Sequence, residues 1–125
     1  MRESPIFVKT FDMLAWLLRH TRKFPKDQRF VMARRMEEAG LDFQDALLRA
    51  ARERSAKALL DDADFHLSRL KLYNRLCRQL ELHSLGQYEH LARMLAELGK
   101  ILGGWKKSAG RTSGRSVRTE ATASA

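Results

Sequence analysis

The sequence predicts an all-α protein, an up-down-up-down antiparallel four-helix bundle. Three observations carry that expectation: four stretches with apolar residues at helical spacing, short polar connections between them, and no stretch alternating in the manner of a strand. At 125 residues the chain is long enough for one core and one domain.

The first helix is expected to begin at Ser4-Pro5, with the serine oxygen taking an orphan amide and proline standing where no amide is needed. At about 100° per residue, Ile6, Phe7, Phe11, Leu14, Leu17 and Leu18 gather on one face and Lys9, Asp12, Arg19 and His20 on the other. Trp16 falls among the polar residues. It either lies half-exposed along its own helix or is covered by another chain, as large aromatics amid charge often are at interfaces. The turn Thr21 to Lys26 follows, with Arg22, Lys23 and Lys26 around Phe24-Pro25, and Pro25 disfavours helical geometry at Phe24. These cations complement the dipole of the preceding helix and are equally suited to a phosphate backbone.

The second helix is expected over about Asp27 to Arg54, with Phe30, Ala33, Met36, Gly40, Phe43, Leu47 and Ala51 inward. Met32, Ala39, Leu41, Ala46, Leu48 and Ala50 widen its apolar arc to roughly 220°, more than one bundle seam occupies, so part of it is expected to meet another protomer. Glycine inside a helix costs about 1 kcal/mol against alanine, which points to close helix approach at Gly40.

Ser55 is the expected cap of the third helix, which runs to about Leu82 with Leu59, Ala63, Leu67, Leu70, Tyr73, Cys77 and Leu80 inward. Phe65, Leu72 and Leu76 form a second apolar stripe, expected at an oligomer interface. Acids Asp61, Asp62 and Asp64 come first and bases Arg69, Lys71, Arg75 and Arg78 last, which suits the helix dipole and makes Arg75 and Arg78 candidate anion contacts.

Ser84 and Gln87 have capping-box spacing and open the fourth helix, where Tyr88, Leu91, Leu95, Leu98 and Leu102 recur in steps of three and four. Glu89, Arg93, Glu97 and Lys100 are expected to pair on its solvated face. Gly103-Gly104 is expected to end it. The bundle then occupies residues 1–105, and residues 106–125, poor in apolar side chains, are expected to be a disordered basic tail.

The formal charge is +9, with 24 basic and 15 acidic residues, and both the bundle and the tail are basic. A basic surplus in the folded part favours a polyanionic partner, nucleic acid above all, over charge kept for solubility alone. Arg22, Lys23, Lys26, Arg29, Arg75 and Arg78, with Lys106 and Lys107, are the expected contacts. No apolar run approaches the ~18–20 residues of a membrane span, and Met1-Arg2-Glu3 leads into an amphipathic helix, so a cytoplasmic protein without membrane contact is expected. The single cysteine, Cys77, reads as a small buried side chain.

Catalytic motifs are missing. Di-metal bundles use Glu-x-x-His pairs, whereas Leu17, Ala63, Leu80 and Gln87 stand three residues before His20, His66, His83 and His90. Each histidine is therefore expected at the surface or its boundary. With no phosphate loop, Cys-x-x-Cys pair or nucleophilic triad, no cofactor or metal is expected, and the chain reads as a binding protein and no enzyme.

The ordered series Glu3-Ser4-Pro5-Ile6, Lys9, Asp12, Trp16-Leu17-Leu18, Lys23-Phe24-Pro25, Arg29-Phe30, Gln87-Tyr88-Glu89 and Leu102-Gly103-Gly104-Trp105 resembles the Avd family, the accessory variability determinants of diversity-generating retroelements. These are four-helix-bundle proteins related to those encoded in ribosomal RNA intervening sequences. The resemblance implies a homopentameric basic barrel that binds the retroelement reverse transcriptase and its template RNA or cDNA and supports mutagenic retrohoming, with the polymerase chemistry left to the partner. The rival expectation is a protein-interaction or ribosomal-RNA-associated bundle with no reverse transcriptase partner. A small metal-storage bundle is a weaker third.

Overall fold

The computed structural model describes residues 4–124, with side chains to Gly110, and is helical throughout apart from its turns. Helix α1 is Pro5–Thr21. Helix α2 is built of three consecutive segments, Lys26–Gln28, a π-helical turn Arg29–Ala33, and Arg34–Ala50. Helix α3 is Lys57–Gln79 and α4 is Leu85–Ser124. Each helix packs on the next and α4 closes back on α1, so the core is enclosed by four adjacent pairs. Cross-helix contacts give the direction. On α1 and α4, Lys9 pairs with Glu97 at 2.7 Å while Trp16 meets His90, and on α2 and α3, Asp42 pairs with Arg69 while Met36 meets Cys77; both pairs are antiparallel.

The core holds Leu14, Leu17, Met36, Phe43, Leu47, Leu60, Leu67, Leu70 and the seam of α4, Leu91, Leu95, Leu98 and Leu102. Each such side chain removed from water contributes about 1.5–3 kcal/mol. Gly40 is where α1 and α2 close up: a Cβ there would lie 2.8 Å from Leu14 Cδ2 and 3.2 Å from Leu17 Cδ2, which is the close approach expected of it.

Several local expectations are corrected. Ser4 takes the N-cap position, but its side chain makes no capping bond; its carbonyl accepts from the amides of Phe7 and Val8 instead. The buried face of α1 is Ile6, Thr10, Met13, Leu14, Leu17, His20 and Thr21, turned by about 60° from the expected one, which leaves Phe11 66% exposed and Leu18 also at the surface. Burial of Thr10 and Thr21 is tolerable because each hydroxyl is bonded, Thr10 to the Ile6 carbonyl at 2.6 Å and Thr21 to Glu37 Oε2 at 2.6 Å.

In α2 the π turn breaks the 100° step. Phe30 is therefore swung outward, 80% exposed, although Ala33, Met36, Gly40, Phe43 and Leu47 are buried as expected. The helix ends at Ala50, short of Arg54, through tighter bonds from the amides of Arg52 and Glu53 to the carbonyls of Arg49 and Ala50, and Ala51 is exposed.

Helix α3 is capped at Ala56, one residue after Ser55, and Leu60 and Asn74 are buried where Leu59 and Tyr73 are half-buried and Leu80 is exposed. Its end is a Schellman motif. The amide of Leu82 bonds the Cys77 carbonyl at 2.8 Å and that of Glu81 bonds the Arg78 carbonyl at 3.1 Å, with Glu81 left-handed at φ 62°. Cys77 is buried as expected, and burial pushes its thiol up to about 12.

The capping box at Ser84 is present in both directions, Ser84 N–H to Gln87 Oε1 at 2.8 Å and Gln87 N–H to Ser84 Oγ at 3.1 Å. Gly103 and Gly104 do not end α4. Neither takes a positive φ, and continuing the helix lets Trp105 and Ala109 pack against the core, Trp105 edge-on to Phe7 at 6.3 Å. Glu97 pairs across the bundle to Lys9 rather than along its own helix. Glu3, part of the resemblance series, and the side chains of Arg111, Arg115 and Arg118 lie outside the described residues. Among the described residues no helix is long and apolar enough to cross a membrane.

Candidate nucleic-acid interface

The alternating helix directions bring the α1–α2 turn, the start of α2, the end of α3 and the start of α4 to one end of the bundle. The turn is pinned from below. Phe24 is buried against His20 at 5.4 Å and His83 at 5.8 Å, both edge-on, and the amides of Lys23 and Phe24 bond the carbonyls of His20 and Thr21. With Phe24 drawn in, Arg22, Lys23 and Lys26 around it are turned to solvent.

Beneath the turn lies an aromatic cluster that hydropathy did not announce. His20 is 8% and His83 0% exposed, which corrects the expectation that every histidine sits at the surface or its boundary; His66 is half-buried and His90 exposed. Trp16 stacks on His20 at 4.7 Å and 20° between planes, and it touches His83 and His90. The His20 and His83 rings are themselves 4.7 Å apart. Asn74 explains why a histidine is tolerated inside. Its amide NH2 donates to the Tyr88 carbonyl at 3.1 Å, so its Oδ1, 2.8 Å from His83 Nδ1, accepts, and His83 is the neutral Nδ1–H tautomer. The Nε2 atoms of His20 and His83 are buried with no partner among the described residues. Burial lowers both pKa values, His83 to about 4 with the His20 ring adding to the effect, and His20 with a smaller push from Lys23. Both are neutral near pH 7.

Six of the eight expected contact residues share this end: Arg22, Lys23, Lys26, Arg29, Arg75 and Arg78, all exposed. None forms an ion pair among the described residues. Arg29 Nε instead donates to the Phe24 carbonyl at 3.3 Å and Arg78 to the His83 carbonyl at 3.2 Å, bonds that orient each guanidinium without neutralising it. Asp27, Glu37, Glu81 and Glu89 are acids near this end, Glu37 taken up by the Thr21 hydroxyl. Arg22 and Arg29 also line a cleft with Thr21, Ala33 and Glu37.

The other two are elsewhere. Lys106 and Lys107 lie at the opposite end, and Lys106 Nζ is 3.1 Å from both Asp61 and Asp64, whose hydrogen bonds raise its pKa and leave its charge compensated. Phe65, Leu72 and Leu76 are exposed along α3, whereas Trp16, expected beside them at an interface, is half-buried in its own chain's cluster.

Arg19 escaped the sequence reading. It lines a groove of about 470 Å³ with Phe11, Asp12, Ala15, Trp16, His20, Lys23 and Gln87, running from α1 across to the start of α4. The signal was present: Trp16, His20 and Phe24 stand four residues apart, one stripe continued into the turn. Among the described residues no group of three or more His, Cys, Asp or Glu side chains comes together to hold a metal ion.

Comparison with known proteins gives a single family. The family model described as bAvd-like matches residues 6–109, a span that reaches all four helices and stops at Ala109, the last residue packed against the core among the described residues. No curated protein matches the chain.

Proposed function

Since the chain belongs to the bAvd-like family, we propose that it is a non-catalytic accessory protein of a diversity-generating retroelement, binding the reverse transcriptase and its template RNA or cDNA in support of mutagenic retrohoming. Family membership by itself suggests the accessory role. The observation that supports nucleic acid as the partner is the collection of six exposed cations at one end, none in an ion pair among the described residues. A phosphate backbone releases counterions on meeting such a surface, which yields affinity without sequence choice. Sequence specificity and polymerase chemistry then belong to the partner.

In this reading the working unit is a cytoplasmic homo-oligomer, a pentameric barrel as the resemblance implies. Phe65, Leu72 and Leu76, apolar and exposed, are its interface residues, and the bases beyond the paired Lys106, in residues 107–125, are a basic extension that adds affinity.

Two measurements test the proposal. Solution mass should be five times the 14.4 kDa chain. The purified protein should retain a reverse transcriptase encoded beside template and variable repeats, together with the template RNA. A monomer that holds neither contradicts the proposal. An oligomer that holds other proteins but no RNA or polymerase favours an interaction adaptor instead.

A further inference from the structure

We propose that the groove beside Trp16 is a stacking site for an unpaired base of single-stranded nucleic acid, with the flanking phosphates held by Arg19 and Lys23. The inference rests on the nucleic-acid reading above and gives it a place and a strand state.

Asp12, Trp16 and Arg19 follow one another by three or four residues and so form one stripe of α1, with Ala15 beside Trp16 and Lys23 continuing the line into the turn, and all five line the groove. The stripe is graded, with a carboxylate at one end, an aromatic surface in the middle and two cations at the other. A nucleotide has the same order: a base edge bearing donors, a flat ring, and an anionic phosphate. At 1.5 Å per residue Arg19 begins about 5 Å beyond Trp16, with Lys23 further along in the turn, and their long side chains reach back toward a neighbouring phosphate.

The ring is held ready. Stacking on His20 and contact with His90 fix the plane of Trp16, so little freedom is lost when a base arrives. Ala15, a small residue between Trp16 and Asp12 in sequence, leaves the groove open. Exposed Phe11 supplies a second apolar wall. An acidic peptide would use the two cations but has no need of a flat aromatic surface, and a paired base has its faces covered by its neighbours. An unpaired base uses both features. Asp12 accepts hydrogen bonds only, so it favours a base carrying an exocyclic amine: cytosine over uracil.

The chain has two tryptophans, so Trp105→Phe leaves Trp16 as the sole reporter. In that background, oligocytidylate should quench Trp16 emission, oligouridylate should do so at higher concentration, and an RNA duplex of equal length should not. Arg19→Glu with Lys23→Glu should raise the half-quenching concentration and flatten its salt dependence by about 1.4 in the log–log slope, at about 0.7 per phosphate contact. Ala15→Met fills the groove without touching charge or the Trp16 ring, and should abolish the quench while fluorescence anisotropy still reports RNA held at the basic end. Single-stranded RNA bound by anisotropy with Trp16 emission unmoved, or Ala15→Met quenched as the parent is, overturns the stacking site and leaves the basic-end reading standing. RNA bound in neither assay overturns both.

Discussion

The two ends of the bundle dispose their acids and aromatic side chains differently. At the end that holds Lys106, that cation meets Asp61 and Asp64 at 3.1 Å and Trp105 packs on Phe7, while Arg52, Arg54 and Lys57 stay exposed with no ion pair among the described residues. At the end that holds the α1–α2 turn, Phe24, His20 and His83 are drawn inward while Phe30 and the six cations are left outside, the six with no ion pair among the described residues. Local sequence makes the difference. The start of α3 supplies acids beside the late bases of α4, whereas the Phe24-Pro25 turn and the end of α3 supply bases to each other. Composition alone treats all lysines and arginines alike; position separates those that hold the fold from those free to hold a partner.

Charge reversal should break this comparison most sharply. Arg22→Glu, Lys23→Glu and Arg29→Glu together should flatten the salt dependence of single-stranded RNA binding by about 2 in the log–log slope, at about 0.7 per phosphate contact. Lys106→Glu should leave the slope nearly unchanged because that lysine is already paired; binding isotherms at graded salt read both.

Acid should act on the same end through its core. His83, and to a lesser extent His20, has a folded pKa below the ordinary 6.5, so the unfolded chain binds protons more readily and stability falls as pH drops below 6.5. For His83 the loss accumulates down to about pH 4 and reaches roughly 3 kcal/mol at most. Denaturant melts across this range should show it, and His83→Gln should reduce the pH dependence even if it lowers stability at pH 7.

Gly40 lies between the ends and tests packing alone. Gly40→Val should cost about 2 kcal/mol by forcing Leu14 and Leu17 aside, whereas Gly40→Ala should stay within about 1 kcal/mol of the parent, because its single carbon meets flexible side-chain tips and gains helix propensity. The smallest effect is expected at Glu81. Its left-handed backbone suits glycine, so Glu81→Gly should raise stability by about 0.5–1 kcal/mol with no change in RNA binding, as thermal melts and anisotropy would read.

Those residues also show what the sequence made legible. The leucine seam of α4, the capping box at Ser84 and the close approach at Gly40 were readable because each follows from local spacing or a single residue's physics. Phe30 and the face of α1 were not. A π turn changes the angular step without a sequence mark, and in α1 the polar Thr10, Thr21 and His20 are buried through bonds and ring contacts while apolar Phe11 and Leu18 stay outside. Of the candidate site, the shared end of the six cations was legible because turn and helix-end positions fix which end they occupy. The separate fate of Lys106 was missed because Gly103-Gly104 was expected to stop the helix that carries it toward Asp61 and Asp64.

Photocrosslinking of single-stranded RNA carrying 4-thiouridine, followed by peptide mass mapping, tests the central claim most directly. Attachment concentrated between Trp16 and Arg29 and around Arg75 to Arg78 is the predicted result. Attachment confined to the segment from Trp105 onward, or none at all, would contradict it.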